Sequence, residues 1–369
     1  MKRKFIYLGL LILGMLSLFE VTRGQDINYS QYFSTPMYYN PAFTGISTGL
    51  RARFLFRDQW PVLPVDIKSY YFSADLGDRN LPGSGGFGIM ISQDNPGVGL
   101  INTLNAALTI GVRIPITSFM VAQVGIKAAV MQRRVNWDDL VFADQLDPKW
   151  GNIYQTSFVP PDANKRVVPD FAAGGILQFM NTNASITGNV GFAVDHIFQP
   201  DVGFLSVGPS PYPRKWVAHG DVVIATGPGV SSSTLYQGSN EPLRINIGAL
   251  YQNQGGQNSL QVGLNLLKFN IYLGAWFKTT MTGVVNNSVA LLAGYRFMFM
   301  EDISLKFIYS YDLQISGALN GTGGAHEISL VLEFDKLSLF GGGGSRSSGF
   351  IPGSNRVRNG GPMECPTFY

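Results

Sequence analysis

The sequence predicts an all-β fold: a transmembrane antiparallel β-barrel of about fourteen strands, with a plug-like N-terminal segment and a flexible Gly-rich C-terminal tail. Three observations carry this. Apolar and polar residues alternate with period two, as in Leu243-Arg244-Ile245-Asn246-Ile247-Gly248-Ala249, where Leu243, Ile245, Ile247 and Ala249 share one face. Beyond residue 24 no stretch approaches about 18 consecutive apolar residues, so no helix is expected to span a bilayer. Charged residues are 14% of the chain, aromatics 12%, and there are 44 glycines, a composition lean in charge for a water-facing surface and suited to packed strands and turns.

Residues 1–24 have the order of a secretory signal: Lys2, Arg3 and Lys4, the apolar run from Phe5 to Phe19, and small Gly24 at the expected cleavage site. The mature chain is expected to begin near Gln25, and no cysteine follows closely enough for lipid attachment. Residues 25–48 come next, dense in Tyr29, Gln31, Tyr32, Tyr38, Tyr39, Asn40 and Pro41 and almost uncharged. Their rings need burial, so this segment is expected to be a plug or rim at the periplasmic end.

Residues 49–340 should form the barrel. Candidate strands lie near 50–57, 67–76, 86–93, 103–114, 119–131, 170–180, 184–197, 215–226, 243–252, 259–267, 269–280, 287–297, 303–312 and 325–335. Most match or exceed the roughly 9–11 residues that a tilted membrane strand needs. With a periplasmic start, the short turns near Pro115–Ser118, Met180–Asn183, Lys268 and Met298–Asp302 fall inside, and the longest connection, 132–169, falls outside. The link from Gly227 to Pro242 is long for an inner turn. Alternation alone also fits a secreted sandwich or propeller; long strands, low charge and loop parity favour closure in a membrane, where unpaired sheet edges are excluded. Lipid-facing positions should then carry Leu, Ile, Val and Phe, and the lumen Asn, Gln, Ser and Gly.

Residues 341–369 open with Gly341-Gly342-Gly343-Gly344, a flexible linker, and finish in a short tag containing Cys365, Pro366 and Phe368 as candidate docking residues. Cys365 is the sole cysteine, so no intramolecular disulfide forms.

Little in the chain points to chemistry. His196, His219 and His326 are the only imidazoles, none in a nucleophile–base motif; adjacent His326 and Glu327 face opposite ways on a strand, and the histidines are expected to bond within the lumen. Asp138, Asp139, Asp144 and Asp147 lack the order of an EF-hand loop, and no His/Cys set has ligand spacing. No enzyme, metal or cofactor is therefore expected. A net charge of +3, widely spread, gives no case for nucleic acid. Trp60, Tyr70, Tyr71, Trp137, Trp150, Trp216 and Trp276 are expected in girdles at the barrel rims. The outer loop 132–169, with Trp137, Leu140, Phe142, Asp144, Gln145 and Trp150, together with Trp60, is the candidate partner surface.

A series of phrases resembles the PorP/SprF family of outer-membrane proteins attached to type IX secretion and gliding. They begin with Gln25-Asp26-Ile27-Asn28-Tyr29-Ser30-Gln31-Tyr32 and Tyr38-Tyr39-Asn40-Pro41-Ala42-Phe43-Thr44-Gly45. Arg57-Asp58-Gln59-Trp60-Pro61, Ser69-Tyr70-Tyr71-Phe72-Ser73-Ala74-Asp75, Leu140-Val141-Phe142-Ala143-Asp144-Gln145 and Ser310-Tyr311-Asp312 follow in order, and Glu364-Cys365-Pro366-Thr367-Phe368 is similar to the family's Cys-Pro ending. The resemblance implies an outer-membrane protein that binds a secreted substrate with a type B C-terminal domain, such as a surface or gliding adhesin, aiding its export and attachment. It also implies contact of the N-terminal segment and tail with periplasmic secretion or gliding machinery. The alternative is an uptake channel for a small or hydrophobic solute, with an open lumen.

Overall fold

Alternation sets the wall. On β5 (Met120–Arg134) the side chains of Val121, Gln123, Lys127, Ala129 and Met131 are buried, while Val124, Ile126, Ala128 and Val130 between them are exposed. One face meets lipid and the other a filled lumen.

The computed structural model describes residues 26–337 except 64–66, 79–80, 82, 84, 98–100, 118, 162–163, 182–184, 205–207, 227–242, 282–286, 301, 317–320 and 336. Fourteen long strands close into one antiparallel barrel. With β5 they are β1 (Gly49–Gln59), β2 (Ile67–Gly77), β3 (Gly86–Asn95), β4 (Asn102–Thr117), β8 (Lys165–Met180), β9 (Ile186–Asp195), β10 (Lys215–Thr226), β11 (Leu243–Gln254), β12 (Gln257–Lys268), β13 (Ile271–Thr280), β14 (Asn287–Met300), β15 (Ile303–Gln314) and β16 (Ala325–Phe334). The two-residue strands β6 (Leu146–Asp147) and β7 (Gly151–Asn152) pair within the loop between β5 and β8. Each long strand pairs with the next, and β16 returns to β1 with Arg57 opposite Glu327. No edge is left along the closed sheet, which satisfies the backbone inside a bilayer.

Strand positions follow the sequence closely, with one instructive difference. β8 starts at Lys165, five residues before the expected 170, because its first residues pair with β5 beyond the level that β9 reaches: Lys165 faces Arg134, whereas β9 pairing begins at Ala173. The boundaries Thr226 and Leu243 around the long inner link agree with expectation, and 227–242 itself lies outside the described residues. So do the signal at 1–24 and the tail at 341–369 with Cys365, Pro366 and Phe368.

The hydrophobic core sits in the lumen. Every residue from Tyr29 to Ser47 is buried, and the rings of this segment pack on the wall. Tyr32 meets Trp276 edge-on with centroids 5.1 Å apart, and Tyr29, Tyr38 and Tyr71 form a T-shaped set. Trp276 and Tyr71 therefore do not belong to a lipid-facing girdle; inward parity on β13 and β2 assigns them to the core, and they are 0% and 1% exposed. Trp216 and Tyr70, each 40% exposed, do face outward. The lumen wall is also more charged than the sequence led us to expect, with Arg51, Arg53, Arg57, Lys127, Asp170, Asp312, Glu327 and Glu333 buried among the Ser, Asn and Gln.

Candidate functional site

The segment 26–47 crosses the lumen from one mouth to the other. At the end carrying the long loops 135–164 and 196–214, Asp26 accepts from Lys215 Nζ at 2.6 Å and Tyr212 Oη at 2.7 Å, and lies 3.0 Å from His196 Nε2. His196 Nδ1 lies 2.9 Å from Asp170 Oδ2. Burial alone would push the His196 imidazole down, but the Asp26 and Asp170 carboxylates outweigh it and hold its pKa up at about 9. Burial opposes the Asp26 charge likewise, and Lys215 with His196 keeps its carboxyl well below the usual range.

One step deeper, the Glu327 carboxylate accepts the backbone N–H of both Ser30 and Gln31, each at 2.8 Å. Ser30 Oγ donates to Asp312 at 2.6 Å; Lys278 Nζ reaches Ser30 Oγ at 2.7 Å and Asp312 at 3.0 Å; Arg57 pairs with Glu327 and, at 3.3 Å, with Asp312. Two cations and two anions thus balance around one turn of the plug, which is what a buried ionic cluster requires. Gln31 Nε2 adds a bond to Ser310 Oγ at 2.9 Å.

Mid-lumen the chain turns on Asn40-Pro41. Asn40 Oδ1 caps Ala42 N at 2.9 Å, its Nδ2 donates to Gly175 O at 3.1 Å, and the same Nδ2 lies 3.0 Å from His219 Nε2. Pro36 and Pro41 each open a short helical turn, where their missing N–H costs nothing. At the far mouth Thr44 O accepts from Gln123 at 2.8 Å and Gly45 N donates to Asp75 at 3.0 Å. Gly45, at φ 65°, lies so close to Gly86 that a Cβ would overlap its backbone.

Tyr29, Gln31, Tyr32, Tyr38, Tyr39, Asn40 and Pro41 are thus all inside the lumen, which leaves no surface by which a periplasmic partner could hold them. The segment starts at the outer mouth, opposite the end where β1 begins. The cause is electrostatic: the cations that match Asp26 lie at the outer ends of β9 and β10.

The outer loops carry a further set of aromatics, half-buried against one another. Trp137, Phe142, Phe158 and Phe204 form a cluster, with Phe142 and Phe158 centroids 4.6 Å apart. On the same loop Trp150 is 67% exposed and Val159 85% exposed. Asp144 and Gln145 shape this loop. Asp144 accepts from Ser157 N at 2.6 Å and from Thr156 Oγ1 at 3.0 Å, bonds that hold its carboxyl below the ordinary value, and Gln145 Oε1 accepts from Phe142 N at 2.7 Å. Leu140 is half-buried at the loop's 3-10 turn. Trp60 is not brought to this cluster; it sits after β1 at φ 61°, its N–H bonded to Gly324 O at 2.8 Å. His326 also departs from expectation, facing outward against Tyr309 Oη at 2.8 Å, whereas Glu327 faces in.

The profile of the family described as type IX secretion system membrane protein PorP/SprF matches residues 21–332. The chain belongs to the PorP/SprF family. Like its family, this PorP/SprF protein is an outer-membrane β-barrel and a component of type IX secretion. A search of curated proteins found no match. Among solved structures it is similar to the outer membrane protein Omp33 of Acinetobacter baumannii, at 8% identity and a TM-score of 0.37, covering 79% of this chain and 99% of that one. A FadL homologue of Pseudomonas aeruginosa gives 12% identity and a TM-score of 0.39 over 78% of this chain and 89% of that one. CdiB from Acinetobacter baumannii gives 8% and 0.40 over 78% and 60%. Likenesses this distant say nothing about activity.

Sequence reasoning expected His196 to bond within the lumen, as it does, but missed the other ionic residues of the PorP/SprF lumen: Asp26, Arg57, Asp170, Lys215, Lys278, Asp312 and Glu327. The shared parity of Arg51, Arg53 and Arg57 on β1 was the available signal, since three cations on one inward face demand anions across the lumen.

Proposed function

We propose that this PorP/SprF barrel works by binding and not by catalysis, its outer loops holding a secreted type IX substrate at the cell surface. The single observation that carries this is the plug: the buried run from Tyr29 to Ser47 occupies the lumen, while loop 135–164 presents exposed Trp150 and Tyr154 beside half-buried Trp137, Phe142 and Phe158. A barrel so filled is a scaffold for docking and offers a solute no path. Kinship points to a substrate with a type B C-terminal domain, such as a surface or gliding adhesin, whose export the barrel aids and which it then anchors. Trp137, Phe142 and Trp150 would supply rigid contact area of the kind that dominates interface energetics, with Asp144 and Gln145 holding the loop in shape. We assign contact with periplasmic machinery to the tail at 341–369, with Cys365, Pro366 and Phe368.

Affinity purification of the full chain from native outer membrane tests this, with bilayer conductance of the purified barrel in parallel. Recovery of a large secreted protein, reduced in Trp150→Ala, with no stable single-channel current, is the expected result. Stable currents with no secreted partner would instead establish the uptake channel. Removal of 341–369 should leave the barrel folded and weaken only the periplasmic association.

A further inference from the structure

The β5–β8 hairpin ends in four cations arranged as two facing pairs, Arg133 opposite Arg166 and Arg134 opposite Lys165. Like charges directly opposed weaken a ladder, so each pair calls for compensation. The inward pair has it: Arg166 lies 3.3 Å from Asp201, and the Arg133 guanidinium sits 5.4 Å from the centre of the Tyr212 ring. The outward pair does not. Arg134 and Lys165 are exposed, and among the described residues neither side chain forms an ion pair or hydrogen bond.

Their position supplies the partner's chemistry. The register places Asn102 of β4 beside Arg134, so Asn102, Arg134 and Lys165 make a row of donors across three adjacent strands on the outward face. Below that row, past Gln132, the same face is apolar and bare, with Leu108 65%, Val130 52%, Val167 53% and Phe171 40% exposed. Lys165 is two residues beyond Val167, about 7 Å along a strand, within reach of a side chain that snorkels toward the head-group level. A ligand filling this site must be anionic where it meets the row and apolar where it runs down the wall. A free anion has no use for the wall, and an acidic protein approaching from water would not touch it.

We propose that Asn102, Arg134 and Lys165 form a binding site for the phosphate groups of an outer-leaflet lipid, whose acyl chains lie along β4, β5 and β8. Arg134 supplies a planar fork matched to phosphate and Lys165 a point charge, and the bound phosphate removes the repulsion between them. The site lies on the outward wall at the base of loop 135–164, so a bound lipid fixes the height of the barrel in the membrane.

The test uses the full chain in neutral detergent, unfolded by heat and followed by its gel mobility, with diphosphoryl lipid A as the probe. The unfolding temperature should rise with lipid A, and this rise should vanish in Arg134→Gln/Lys165→Gln, which still folds to the heat-modifiable barrel. Lipid A stripped of its phosphates, and inorganic phosphate at equal concentration, should both give no rise. An equal rise in the double variant, no rise in the wild type, or a rise with inorganic phosphate alone would overturn the proposal. So would a Lys165-directed cross-link in native outer membrane that captures an acidic protein in place of lipid.

Discussion

Ser30 donates its backbone N–H to the Glu327 carboxylate at 2.8 Å, across 297 residues of sequence. Glu327 also pairs with Arg57, its register partner on β1, so one carboxylate fastens the plug and bridges the strands that close the barrel. Burying one plug ring contributes roughly 1.5–3 kcal/mol, about what fixing one or two backbone residues costs. The rings alone therefore leave little surplus, and the polar clamps decide whether the plug stays.

Glu327→Ala should destabilise the barrel by about 3–5 kcal/mol, because Arg57 keeps a buried charge that has lost its principal partner. Heat-modifiable gel mobility should show a lower unfolding temperature than for Glu364→Ala in the tail, which should leave it unchanged.

Gly125→Leu should dislodge the plug at mid-lumen, since even a Cβ at that position overlaps the Pro41 backbone. The expected outcome is faster proteolysis within 26–47 and a measurable bilayer conductance from a barrel of unchanged strand content by circular dichroism.

The outer anchor should loosen with alkali. His196 rises from 6.5 to about 9 on folding, so its contribution is complete below pH 6.5 and is lost as pH climbs through about 9. Asp26, depressed by the same ion pair, contributes above its ordinary 3.8 and loses this as pH falls through its lowered value. Hydrogen exchange of residues 27–35 should accelerate between pH 7 and pH 10 beyond the intrinsic base catalysis, and His196→Gln should remove that excess.

Asp144→Ala should melt the loop without touching the barrel. Ser157 N, Ser157 Oγ and Thr156 Oγ1 all lose their acceptor, so exchange protection around 142–158 should fall while the unfolding temperature stays within about 0.5 kcal/mol equivalent of wild type. If the loop holds the secreted partner, capture should fall with it.

The sequence by itself determined the wall: fourteen strands, their order, and which face of each meets lipid. Those properties are local, because period-two alternation assigns every side chain to one face from its own neighbours, as Val121 to Met131 on β5 show. It also determined that the rings of Tyr29, Tyr32, Tyr38 and Tyr39 had to be buried. Only the tertiary structure decided where and in which direction. An inward polar face is equally compatible with water or a plug, and Trp276 reads as a girdle residue until a Tyr32 is found against it. The course of 26–47 from outer to inner mouth depends on Asp26 meeting Lys215 and His196, and Ser30 meeting Glu327, pairs separated by between 170 and 297 residues. No local pattern encodes such pairings, because the energy of a buried charge is set by what closure of the barrel brings opposite it.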